Sequence, residues 1–145
     1  MANLMRNINT ISRCGASFRV KNSSENLPGI YHSYIFAICS HPGWSQDKLA
    51  KFLSINKSNI TRHFSFLEEN GYIERKSGEK DKRELLVYPT QKMLDILPEV
   101  TEISHRWNEQ LTDGIDQNDL EAFRRVLGQL AENAKQIIYG GENGK

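Results

Sequence analysis

The feature that most constrains this chain is a change of hydrophobic period within residues 45–88. Up to Leu67 the apolar residues recur at helical spacing, and from Tyr72 onward they follow the shorter period of a strand. Ser45 heads a short segment, 46–53, with Leu49, Ala50 and Leu53 on one face. A serine there is a good N-cap, because its hydroxyl accepts a hydrogen bond from a free N–H of the first turn. Asn56 caps a second segment, 57–69, in which Ile60, Phe64 and Leu67 fall at i, i+4 and i+7. Asn70-Gly71 stops it, since both residues tolerate left-handed backbone. Tyr72–Lys76 and Glu84–Tyr88 read as short strands around a polar turn containing Gly78, with Leu85 and Val87 on one face. Two short helices joined by Ser54-Ile55-Asn56 and followed by a hairpin make a winged helix-turn-helix. The expected fold is mainly α with a small β-hairpin wing, flanked by long N- and C-terminal dimerisation helices.

The flanks follow from the same rules. A helix over 3–24 carries Leu4, Ile8, Ile11, Phe18 and Val20 as a loose stripe. Lys21–Gly29 is a break, and a helix over 30–40 turns Ile30, Tyr34, Ile35, Ile38 and Cys39 inward before His41-Pro42-Gly43 ends it. Thr90 caps a long helix, 91–112, with Ile96, Val100, Ile103, Trp107 and Leu111 on one side and a kink expected at Pro98 unless that residue begins a fresh turn. Asp116 caps the last helix, 117–138. There Leu120, Phe123, Leu127, Leu130, Ala134 and Ile137 are spaced 3-4-3-4-3, the period of a helix-packing seam. Two long helices and a small head leave such a seam partly open, which points to a second copy of the chain; cover by the first helix is the alternative. The expected organisation is a dimerisation helix and linker (1–29), a winged helix-turn-helix region (30–89), dimerisation helices (90–139) and a disordered tail (140–145).

Length and composition set outer bounds. The 145 residues, 38% hydrophobic and 26% charged, suit one soluble domain. No apolar run approaches the ~20 residues of a membrane span, and Met1–Arg6 lacks the apolar block of a signal peptide, so a cytoplasmic location is expected. Net charge is +1, but it is uneven: +3 over 1–43, +2 over 44–90 and −4 over 91–139. Cys14 and Cys39 match no metal-ligand spacing, nor do His32, His41, His63 and His105. No nucleophile-base set, Gly-rich phosphate loop or paired carboxylates is evident, so neither an enzyme nor a cofactor is expected.

A major groove admits one α-helix, held at its angle by a partner. The segment 46–53 is the brace and 57–69 the reader. The reader residues that face away from the core are Lys57, Ser58, Asn59, Thr61, Arg62 and Ser65. All hydrogen-bond and none is acidic; the stretch from Lys48 to Ser65 is free of acids until Glu68 and Glu69. Arg62 suits a guanine or a phosphate through its planar fork, and Asn59 suits adenine. Ser45 and Gln46, at the start of the brace, complete the expected contacts. The hairpin tip offers Lys80, Lys82 and Arg83 to phosphates or a minor groove, with Asp81 orienting Arg83. Taken singly, each feature also fits a solvated surface; brace, turn and hairpin together favour the DNA reading.

From His41 to Thr90 the chain resembles the MarR (multiple antibiotic resistance regulator) family of transcriptional regulators. The resemblance runs through His41-Pro42-Gly43, Ser45-Gln46, Leu49-Ala50, Ser58-Asn59-Ile60-Thr61-Arg62, Leu67-Glu68, Gly71-Tyr72-Ile73 and Asp81-Lys82-Arg83. It implies a homodimer whose reader helices enter successive major grooves of a palindromic operator, with Arg83 in the minor groove. It further implies a repressor that releases DNA when a small aromatic or anionic effector binds. Tyr31, His32, Tyr34 and Trp107 are the candidate effector residues. Some family members sense oxidants through a first-helix cysteine, which makes Cys14, beside Arg13, a redox candidate. The chain departs from the pattern at Met93, where a glycine is common, and at His63 and Phe66, which replace residues more often aliphatic and basic. Its first helix and link are also short. A winged helix used as a protein-interaction module is the alternative from another class.

Overall fold

The computed structural model describes residues 2–140, and within them the order is α1 (Ala2–Asn22), α2 (Tyr31–Ser40), α3 (Gln46–Leu53), α4 (Lys57–Glu69), β1 (Ile73–Ser77), β2 (Leu85–Pro89), α5 (Gln91–Leu111) and α6 (Gln117–Tyr139). The expected tail beyond Gly140 lies outside the described residues. The chain forms two compact units, one up to Trp107 and one from Asn108. No helix among the described residues is long and apolar enough to cross a membrane.

In the first unit the local signals set the elements. Ser45 accepts from the Lys48 N–H at 3.1 Å and Asn56 from the Asn59 N–H at 2.8 Å, so α3 and α4 both start on satisfied caps. Between them Ser54 is left-handed (φ 54°), and the Ile55 N–H closes onto the Ala50 carbonyl at 2.9 Å. That strained residue makes the turn sharp enough to set α4 against α3. Gly71, at φ +78°, ends α4 and turns the chain into the hairpin. β1 and β2 pair antiparallel from Ile73 with Pro89 to Ser77 with Leu85. Thr90 donates to the Gly71 carbonyl at 2.6 Å, tying the start of α5 to the end of α4.

The core of this unit lies where α2, α3, α4 and the hairpin meet. Tyr34, Ile35, Ile38, Leu49, Phe64, Leu67, Val87 and Met93 are wholly buried there. Burial of this kind stabilises by about 1.5–3 kcal/mol per large apolar side chain.

Several expectations shift. Ile30, expected inward, precedes α2 and is 48% exposed. Both strands begin one residue later than the alternation implies, and Leu85 is exposed while Val87 is buried. The segment before α3 also joins the sheet: Gly43 donates to the Val87 carbonyl, Val87 to the Trp44 carbonyl, and Ser45 bridges Leu86. These pairings span more than forty residues of sequence and leave no local trace. α5 is one continuous helix containing Pro98.

In the second unit α6 starts on Asp116, whose carboxylate accepts from the Asn118 and Asp119 N–H groups. Along it Phe123 (48%), Leu127 (37%), Leu130 (39%) and Ile137 (81%) are exposed, and Leu120 is buried. The seam read from the sequence is therefore present as an exposed apolar stripe.

Candidate nucleic-acid interface

The polar side of α4 is built from its first residue. The Asn56 side chain accepts from Asn59 N–H and from the Ser58 hydroxyl, which leaves Lys57 and Ser58 exposed on the opening turn. Free N–H groups of that turn favour an anion. One turn on, Arg62 donates from Nη2 to the Asn59 Oδ1 at 3.0 Å, so the two expected base readers sit as a preformed pair. Thr61 and Arg62 are exposed, and Asn59 and Ser65 half-buried. On the opposite side of the helix Ile60, Phe64 and Leu67 anchor it in the core.

The wing tip carries a second cationic group. Asp81 Oδ1 accepts from the Arg83 backbone N–H at 3.0 Å and from its Nε at 3.3 Å, which is the orienting arrangement expected of Asp81. The Arg83 side chain is 93% exposed, and Lys80 and Lys82 are exposed beside it. An exposed pair of this kind adds little stability, so its consequence is the direction in which the arginine points.

Gln46 and Ser45 are placed differently from the other expected contacts. Ser45 spends its hydroxyl oxygen as the α3 cap. Gln46 is 8% exposed, its Nε2 donating to Thr61 Oγ1 at 3.1 Å and its Oε1 accepting from Arg75 Nη1 at 3.1 Å. Arg75, on β1, is a residue the sequence reading missed. Its Nη2 also donates to Ser65 Oγ and to Glu68 Oε1, and the hydrogen bonds it gives hold the Glu68 carboxyl below its ordinary range. One signal for it was available: strand alternation puts residue 75 on the same side as Ile73, so a cation was pointing toward the core.

α2 meets α4 through aromatic groups. Tyr31 stacks on Phe66 at 5.2 Å and lies edge-on to His63 at 5.4 Å. The buried Tyr34 hydroxyl shares a hydrogen bond with His63 Nδ1. Burial, with Arg62 nearby, pushes the His63 pKa down, and burial pushes Tyr34 up to about 12. The two residues that depart from the family pattern, His63 and Phe66, are thus the ones that receive the α2 tyrosines.

The four candidate effector residues do not form one set. Tyr31 and Tyr34 pack toward α4, while Trp107 packs on Phe18 at 5.4 Å. His32 is 2% exposed, and neither ring nitrogen has a hydrogen-bond partner among the described residues. Burial lowers its pKa, Arg19 lowers it further and Glu99 opposes. Cys14 is exposed on α1 and Cys39 is half-buried, both as free thiols. No group of three or more His, Cys, Asp or Glu that could hold a metal occurs among the described residues.

The MarR family model matches residues 32–85. The HTH-type transcriptional regulator YybA of Bacillus subtilis (strain 168) is 23% identical over 137 residues, spanning 94% of this chain and 91% of that protein. The crystal structure of MarR superposes with a TM-score of 0.80 at 27% identity, covering 92% of both chains. A MarR-family transcriptional regulator from Listeria monocytogenes, solved in complex with a 26mer DNA, superposes at 0.86 with 25% identity, covering 97% of this chain and 95% of that one.

Proposed function

We propose, from the premise that this chain belongs to the MarR family of transcriptional regulators, that it binds a palindromic duplex operator as a homodimer and acts as a repressor. The carrying observation is the polar side of α4, which is free of acids from Lys57 to Ser65. Lys57, Ser58, Thr61 and Arg62 are exposed there, while the residues opposite are fixed in the core. α4 enters the major groove, where Arg62 and Asn59 meet base edges and Lys57 and Ser58 meet phosphates. Arg83, steered by Asp81, reaches the adjacent minor groove, with Lys80 and Lys82 on the backbone. The Listeria relative solved with DNA supports this reading. The exposed stripe on α6 supports a two-fold partner, which doubles the number of base pairs read.

Fluorescence anisotropy of the full chain against a duplex selected from a random pool tests it. A binder of about 6–10 phosphates loses roughly 10³- to 10⁵-fold in affinity between about 50 and about 200 mM salt. No binding, or salt-insensitive binding, favours the protein-interaction module instead.

Effector response is a second reading, favoured by His32. A buried imidazole with two unpartnered nitrogens is costly unless something uses it. A small aromatic carboxylate is the ligand chemistry it fits, with Arg19 supplying charge. Calorimetric titration with a panel of such acids, repeated on His32→Leu, tests this. Binding by the parent and none by the variant supports it, and no heat from any acid in the panel rejects it.

A further inference from the structure

We infer that Arg75 is a positioning residue that fixes the phase between the two DNA-reading elements, so that sequence preference depends on a side chain that does not touch the duplex. The inference rests on the reading above, in which α4 and the wing bind DNA. The Arg75 side chain is only 14% exposed, so it is poorly placed to reach a phosphate. Its guanidinium instead finds three acceptors on two helices. Nη1 donates to Gln46 on α3 at 3.1 Å, and Nη2 donates to Ser65 at 3.3 Å and Glu68 at 3.1 Å, both on α4. Glu68 Oε2 also accepts from the Arg75 backbone N–H at 2.9 Å, which pins the strand itself. From Gln46 the chain of bonds continues to Thr61, and from Thr61 to the Lys57 carbonyl. One side chain of the wing therefore holds brace and reader together.

Two consequences follow. Gln46 has both ends of its amide engaged and is buried, so it sets the position of Thr61 and is not itself a reader. Ser65 uses its oxygen as an acceptor, which leaves its O–H to donate. Its partner on DNA is then an acceptor, a phosphate oxygen or the acceptor edge of guanine or thymine. Arg62 and Arg83 lie on different elements, and both reach their grooves only if α4 and the hairpin keep one spacing. A planar fork with several donors fixes such a spacing, and a point charge on a flexible stem does not.

Arg75→Lys keeps the charge and removes the fork. The full-length protein is titrated against two duplexes of equal length: the one the parent enriches most from a random pool, and a shuffled version of it. Arg75→Lys is expected to weaken binding to the selected duplex by about tenfold, the scale of one lost charge-assisted contact. Affinity for the shuffled duplex and the slope of log affinity against log salt stay unchanged, and a fresh selection returns altered preferences. Gln46→Ala adds little on top of Arg75→Lys, whereas Arg83→Ala adds in full. Glu68→Gln gives the same pattern at smaller amplitude and serves if Arg75→Lys melts too low. Equal losses on both duplexes that track the melting temperature overturn the inference in favour of a stabilising role alone. A salt slope shallower by about one overturns it in favour of a direct phosphate contact. Unchanged binding also overturns it. If the parent enriches no duplex, the DNA reading fails first, and that outcome is visible before any variant is made.

Discussion

α4 and α6 carry nearly the same sequence signal but bury their apolar faces to different extents. In α4 the apolar residues Ile60, Phe64 and Leu67 are 1% exposed or less. In α6 the equivalent spacing gives Phe123, Leu127, Leu130 and Ile137, all more than a third exposed. Periodicity states that a face has to be covered, and says nothing about what covers it. α4 has its cover within the head, in the cluster that includes α2, α3 and the hairpin. The α6 stripe is of the kind that monomeric proteins rarely leave open and that interfaces use.

The contrast breaks most visibly at the stripe. Leu127→Asp with Leu130→Asp places unpaired carboxylates in an apolar seam, a loss of several kcal/mol in a dry interface. Sedimentation velocity is expected to show a monomer in place of a dimer, with binding to the selected duplex lost and the far-ultraviolet spectrum of the head retained. A parent that sediments as a monomer removes the dimer from the account. Next in size is Phe64→Ala, which opens a cavity in the head and costs about 3–5 kcal/mol in chemical denaturation. Phe123→Ala in the monomeric background is the matched control and changes stability by less than about 0.5 kcal/mol. Similar losses at both positions would erase the distinction between the two helices.

Smaller effects sharpen what the polar side of α4 contributes. Arg62→Ala is expected to cost about 1–3 kcal/mol of binding and to relax discrimination at one or two base pairs. Arg83→Ala weakens binding with less change in preference, and competition titrations against single-base variants separate the two.

The smallest effect is on pH. His32 and His63 both have folded pKa values pushed below the ordinary histidine value by burial. Such groups favour the folded state while neutral, so their contribution is complete above the unfolded pKa of about 6.5 and is lost as pH falls through the folded value. The urea midpoint therefore drops from about pH 7.5 to about pH 5.5, and drops less in His32→Leu; equal drops would assign the effect elsewhere.

What was legible in the sequence was what is local. Ser45, Asn56 and Asp116 cap the helices they were read as capping, because a cap depends on residues two or three positions away. The cluster of Asn59 and Arg62 with exposed Lys57 and Thr61 follows from helical spacing in the same way. The Gly43–Ser45 pairing with β2 was not legible, because its partners are distant in sequence. Arg75 was hidden for a related reason: its acceptors come from α3 and α4, and only its inward register hinted at a role. The division among the α2 candidates was not legible either: Tyr31 and Tyr34 both face His63 on α4, whereas His32 lies within the influence of Arg19 and Glu99.

Selection of duplexes from a random-sequence pool by the full-length protein is the most direct test of paired reading heads. Two reading heads related by a two-fold axis select an inverted repeat whose half-site centres lie one helical turn apart, about 10–10.5 base pairs, or a multiple of it. Enrichment of single unrepeated sites, or of nothing above the starting pool, would contradict it.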